Sequence, residues 1–480
     1  MSYNTILYII YLCGYLFTLG LVLTALKRKR EPVSALAWVL AIIFLPYIGA
    51  IVFILFGNNH IERPLTRKRR HRSDFHTFYP TPSRKQGVFP EGVTSEYWSP
   101  LCELMTRITD LPPTSGNDIS LYYEGKAAYQ AMFKAIDAAT SSIYLQTYIL
   151  ENDEVGIQFI ERLAGKAQHG IQVKLLYDAI GSRTLPGAAL HPILKAGGKV
   201  APFLPLNIFR RRLQINLRNH RKILIVDGKT GFVGGMNIGK EYIGGDPSLG
   251  FWRDTHLRIQ GPAVRSLTYV FAEDWHFATG EQLSYDEEIP QEPPAGGDHV
   301  VQVIAGGPDQ KVNAIREWYY TVASRARHRL WISTPYFIPD ETMIDGLRIA
   351  ANMGVDVRLL TQGQPPDKWI PYLAARYYWE DMLRAGVRIW RYKKGMFHAK
   401  VLLVDSVLAS VGTANFNIRS LQLDFEVNCL IYSPSLILEL DRQFLRDLDD
   451  AGEVDREKFS RRSNWIHAAE NACRLFSPVL

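Results

Sequence analysis

Two apolar runs open the chain, 5–26 and 33–56, separated by Lys27, Arg28, Lys29 and Arg30. Each reaches the roughly 20 residues that a helix needs to cross a bilayer. Charge follows the first run instead of preceding it, and no small-residue cleavage site comes after it, so the pattern predicts a retained membrane anchor over 1–56 and not a cleaved leader. Pro46 and Gly49 interrupt the second run, which reads as a second transmembrane span or as a re-entrant segment. Beyond it lie Arg63, Arg67, Lys68, Arg69, Arg70 and Arg72, and the positive-inside rule then predicts a cytoplasmic bulk.

Residues 57–116 are polar and basic and read as a juxtamembrane linker. One short helix is expected near Ser99–Thr109, with Ser99 as cap and Pro100 at the first helical position. From 117 onward apolar runs of strand length alternate with helical periodicity. The alternation occurs twice, over 117–284 and 299–480, across an acidic, Pro- and Gly-rich linker at 285–298. Buried-strand patterns at 141–150, 169–177 and 194–200 recur at 328–338, 353–361 and 383–389 in the same order. This predicts an α/β sandwich in each repeat, with a largely parallel sheet.

The formal net charge of +7 suits an anionic partner without choosing between acidic lipid and nucleic acid. Cys13, Cys102, Cys429 and Cys473 are scattered, which argues against a disulfide framework and a zinc site.

Both repeats close on the pattern HxKxxxxD: His220, Lys222 and Asp227, then His398, Lys400 and Asp405. A small-residue turn follows each, ending on Asn237 and Asn415. Every matched position in the second copy lies 178 residues beyond the first. The intervening Ile-Leu-Ile-Val and Val-Leu-Leu-Val are wholly apolar, so each motif leads into a buried strand, where residues two apart share a face. His and Lys of each copy therefore point the same way. Two ammoniums and two amides suit the non-bridging oxygens of a phosphodiester. One imidazole can attack phosphorus while the other protonates the leaving oxygen, and the lysines supply the positive field, so no metal or cofactor is expected. Asp254 and Glu426 follow the two motifs and are assigned as the acids that orient the histidines, Asp254 serving His220 in its own repeat. Asp227 and Asp405 are counted with the catalytic residues, although closing a buried strand suits an ion pair better than proton transfer. The segment 208–222 alternates apolar residues with Arg210, Arg211, Arg212 and Arg218, as a lipid-facing loop would.

The paired motif with its two asparagines resembles the phospholipase D superfamily over 118–480. That resemblance implies two α/β repeats about a pseudo-twofold axis, a phosphohistidine intermediate and no metal. Thr-Pro-Tyr-Phe-Ile-Pro at 334–339, Asn-Phe-Asn-Ile-Arg-Ser at 415–420 and the closing Phe-Ser-Pro-Val-Leu, with the two N-terminal runs, are similar to bacterial cardiolipin synthases. The expected partners are then phosphatidylglycerol and anionic membrane lipid, with no nucleic acid, at the bacterial cell membrane. A phospholipase D-type hydrolase or a membrane-tethered nuclease is the alternative, because water and alcohol acceptors use the same residues. One departure is Gly235, where the superfamily often carries Ser; it is expected to tune the site without disabling it.

Overall fold

A computed structural model describes residues 3–28, 32–53, 62–78, 97–205, 216–283 and 297–480. The chain forms two compact units, one of the described residues up to Lys68 and one of those from Arg69 onward. In the first unit the leading apolar run is a helix, Tyr3–Arg28. Leu45 and Pro46 divide the second run into helices Pro32–Phe44 and Pro46–Val52. Leu21, Ala25, Ile42, Ala50 and Phe53 pack together inside, while Leu16, Phe17, Leu36, Phe44, Tyr47 and Ile48 face outward. The expectation of two spans at 5–26 and 33–56 is not met: among the described residues no helix is long and apolar enough to cross a membrane. At 1.5 Å per residue the helix Pro32–Phe44 reaches only about 20 Å, against a hydrocarbon core of roughly 30 Å.

The expected linker is more structured than its polarity suggested. It holds a helix Glu62–Phe78, in which Phe75 meets Tyr269 edge-on at 5.2 Å and Arg72 pairs with Glu273 at 3.7 Å. The helix Ser99–Thr109 forms where expected, but Trp98 takes the cap position without a side-chain bond and Ser99 lies inside the first turn. The basic loop up to 215 and the inter-repeat linker up to 296 lie outside the described residues.

The first repeat runs β1 (Thr114–Glu124), β2 (Ser142–Thr147), β3 (Gln172–Asp178), β4 (Lys199–Phe203), β5 (Arg218–Asn219), β6 (Ile223–Val226), β7 (Thr230–Gly234) and β8 (Phe251–Gln260). The second runs β9 (His299–Gly306), β10 (Arg329–Ser333), β11 (Asp356–Thr361), β12 (Arg388–Tyr392), β13 (Gly395–Phe397), β14 (Val401–Val404), β15 (Leu408–Gly412), β16 (Asp424–Ile431) and β17 (Ala451–Glu453). The sheet order is β4-β3-β2-β6-β7-β8-β1 in the first and β12-β11-β10-β14-β15-β16-β9 in the second, the same order twice. β1 pairs with both β8 and β9, which joins them into one large sheet. Within each seven-strand order β2–β4 and β10–β12 are parallel and the remaining pairs antiparallel, so the sheet is mixed. The strand after each motif turns straight back as a hairpin, which forces antiparallel pairing. Ile143 and Leu145 face the helices Gly125–Ala138 and Glu154–Gln168, while Tyr144, on the opposite face, stacks on Phe271 of the helix Ala263–Thr279 at 5.1 Å. Helices on both faces of the sheet make the expected sandwich.

The two short strands exchange partners between the repeats. β5 runs parallel to β16, with Asn219 opposite Phe425, and β13 runs parallel to β8, with Phe397 opposite Arg253.

Candidate active site

That exchange builds the site. One residue past β5, the His220 N–H donates to Phe425 O at 2.9 Å; one residue past β13, the His398 N–H donates to Arg253 O at 2.7 Å. The next residue on each facing strand is an acid. His220 Nδ1 lies 2.9 Å from Glu426 Oε1, and His398 Nδ1 lies 2.7 Å from Asp254 Oδ2. Each histidine is therefore oriented from the other repeat, which corrects the expected pairing of His220 with Asp254. Register explains the difference: a strand's own acid lies on the strand that receives the other repeat's histidine.

Both rings are nearly buried, at 8% and 7% exposure. Lys222 Nζ donates to His220 O at 2.6 Å and Lys400 Nζ to His398 O at 2.5 Å, so each lysine folds back over its own motif. Burial, then the Lys222 and Lys400 cations, hold His220 well below the ordinary imidazole range. Burial, then Lys400, bring His398 to about 4. Burial also lowers Lys222 to about 7 and Lys400 to about 8. These groups act on one another across the repeats and form one electrostatic cluster.

The two acids differ. Burial pushes Glu426 up, although Lys222 and the Thr413 hydroxyl draw it down. Asp254 is held low by Lys400 and His398 against the burial that alone would raise it. Thr413 Oγ1 donates to Glu426 at 2.5 Å, whereas its counterpart in the first repeat is Gly235. A Cβ at Gly235 would sit 2.0 Å from Asp254 Oδ1, so glycine leaves the room that this carboxylate fills.

The asparagines also differ. Asn237 donates to Tyr242 OH at 2.5 Å and accepts from Ile149 N at 3.2 Å, while the buried Asn415 Oδ1 has no hydrogen-bond partner among the described residues. Asp227 and Asp405 are not brought to the site. Each stands beyond a four-residue strand, five residues past its lysine and roughly 16 Å along the chain at 3.3 Å per residue. Asp227 accepts from the backbone N–H groups of Thr140, Ser141 and Ser142, and Asp405 from those of Arg327, His328 and Arg329. These bonds tie down the loop before β2 and β10.

Sequence reasoning missed a buried network behind His220. Arg221 NH1 donates to Asp274 Oδ2 at 2.6 Å, and Asn219 and Gln146 donate to the same oxygen. The available signal was Arg221 itself, a charge at the head of an apolar strand where the second copy has Ala399. It also missed Arg419, which bonds Asp424 and helps depress His220.

Two interleaved α/β repeats that pool two buried His–Lys pairs define a phospholipase D-type phosphodiester site. A family model described as "Cardiolipin synthase, PLD-like domain" matches residues 132–275 and 320–448, and one described as "Phospholipase_D-nuclease N-terminal" matches 15–58. Cardiolipin synthase from Geobacillus sp. (strain WCH70) is 39% identical over 94% of this chain and 90% of its own length. That from Geobacillus kaustophilus (strain HTA426) is 38% identical with the same coverage. The crystal structure of phosphatidylserine synthase from Haemophilus influenzae Rd KW20 superposes with a TM-score of 0.61 at 16% identity, covering 79% of this chain and all of that one, which shows the shared fold. The chain belongs to the cardiolipin synthase family, phosphatidyltransferases of the phospholipase D superfamily.

Proposed function

We propose that the site transfers a phosphatidyl group from one phosphatidylglycerol to the glycerol hydroxyl of a second, giving cardiolipin and glycerol. With Glu426 ionised, His220 Nδ1–H donates to it and leaves the Nε2 lone pair free to attack phosphorus. The P–O bond to glycerol breaks as P–N forms, and His398, supported by the firmly anionic Asp254, protonates the departing oxygen. A bound phosphodiester anion offsets the lysine cations that depress His398 in the free site. Neutral His398 then takes the proton of the incoming hydroxyl, and that oxygen displaces His220. Lys222, Lys400 and Asn415 supply donors for the phosphoryl oxygens, with Asn237 holding its turn through Tyr242.

The observation that carries this reading is the pair of buried histidines, each held at Nδ1 by a carboxylate of the other repeat with its lysine folded beside it. It matches the needs of a nucleophile and a general acid. The apolar exterior of the first unit supports a membrane seat, and the basic residues around it support a cytoplasmic one. Full-length enzyme in phosphatidylglycerol vesicles is expected to release glycerol and cardiolipin in equal amounts. Phosphatidic acid and glycerol without cardiolipin would instead make it a hydrolase.

A further inference from the structure

The helix Asn464–Arg474 is amphipathic and turns Ala469, Glu470 and Cys473 inward. Glu470 is buried, accepting from Arg376 at 2.7 Å and Arg462 at 2.8 Å. The outward stripe is Trp465, Ala468, Ala472, Leu475 and Phe476, at the spacing of a single helical face. Trp465 is 86% exposed, Leu475 73% and Phe476 55%. A soluble surface helix buries such a stripe, so this one is built to meet something apolar.

Its position says what. The helix and its flanks pack on the helix Trp369–Arg384: Arg462 reaches Glu380, Glu470 meets Arg376, and Ser477 meets Tyr378. Trp369 and Ile370, in the first turn of that helix, are exposed as well. Both borders of this surface adjoin the site. Val479 O accepts from Arg419 at 2.8 Å and Leu480 O from Asn417 at 3.1 Å, on the turn that follows Asn415. On the other side Lys368 precedes Trp369, and Arg419 and Lys368 are both among the cations that depress His220. Lys368 and Arg474 are exposed at its edge. Across a twofold contact with a second copy these cations would face each other; against anionic headgroups they are matched.

We propose that this face seats the catalytic unit on an anionic bilayer, Trp465, Leu475, Phe476 and Trp369 entering the headgroup region beside the site. A lipid then lends its phosphodiester to His220 while its acyl chains stay in the membrane. The inference deepens the proposed function and rests on its reading of the substrate as a membrane lipid.

The test uses full-length enzyme carrying Trp465→Cys with Cys13→Ser and Cys473→Ser, an environment-sensitive dye on the introduced thiol, in phosphatidylglycerol–phosphatidylcholine vesicles. Quenching by brominated acyl chains and a blue shift are expected. A dye that stays open to iodide in water overturns the proposal, as does one shielded from iodide yet untouched by brominated chains, since a protein then covers the face. In the Trp465→Ser/Phe476→Ser variant, kcat/KM on vesicles should fall about tenfold or more while activity on dispersed short-chain phosphatidylglycerol stays within about twofold. An equal effect on both substrates overturns it. Should the dye be quenched by lipid although the enzyme makes no cardiolipin from either substrate, the docking stands and the reading of the reaction falls.

Discussion

Glu426 decides whether His220 can attack. Protonated, it would donate to Nδ1 and leave Nε2 carrying the ring proton; ionised, it accepts from Nδ1–H and frees Nε2. Because burial raises this carboxyl, the reactive form develops only above the usual carboxylate range, so kcat/KM should rise with pH on the acid side. It should fall on the alkaline side as Lys222, at about 7, and Lys400, at about 8, lose their charge. Glu426→Gln keeps an acceptor but loses the titration. Its pH profile should lose the acid limb and keep the alkaline one, with kcat/KM down on the order of 10²–10⁴-fold. An unchanged acid limb would show that another group governs the nucleophile. Of this scale the sequence disclosed the residue types: the two histidines and two lysines of the motif stand together with the two downstream acids, Asp254 and Glu426. It could not disclose the Thr413–Gly235 asymmetry, because a hydroxyl bond and a carboxylate filling a Cβ-sized gap exist only after folding.

At the scale of elements, the motif hairpins divide labour along one strand. His and Lys stand at its entrance and the acid at its exit, where Asp227 adopts a left-handed φ of 53° in the turn to β7. Its hydrogen bonds to three backbone N–H groups hold its pKa below the ordinary value, although burial alone would raise it. A depressed carboxyl adds stability above its unfolded pKa and loses it as pH falls through the folded one. Asp227→Ala should therefore cost about 1–2 kcal/mol of stability at neutral pH, shrinking below about pH 4, with kcat nearly unchanged. A large loss of kcat in correctly folded protein, measured beside thermal melts, would return this acid to the chemistry. Helix ends are legible in glycine: Gly170 and Gly354, each just past a helix, both take the left-handed conformation that ends one. The helix Glu62–Phe78 was not, since Leu65 and Phe75 give too little apolar periodicity among its charges.

The molecule as a whole explains why one site needs both repeats. The repeat was plain from the constant spacing of the motifs, yet nothing local in Arg218–Asn219 or Gly395–Phe397 announces that each pairs with the opposite repeat. Such two- and three-residue strands are fixed by tertiary contact and not by propensity. The exchange has a kinetic consequence. Asp254→Asn should behave like His398→Ala, losing activity on phosphatidylglycerol but retaining part of it on a phosphatidyl ester of nitrophenol, whose leaving group needs no proton. Were Asp254 to serve His220, its loss would abolish both activities.

The central claim is that His220, oriented by Glu426 from the other repeat, carries the phosphatidyl group. Full-length enzyme mixed rapidly with phosphorus-labelled phosphatidylglycerol, quenched in alkaline detergent and digested tests it directly. The account predicts acid-labile label on the peptide containing His220 in the wild-type enzyme and none after His220→Ala. Label on the peptide containing His398 would contradict it.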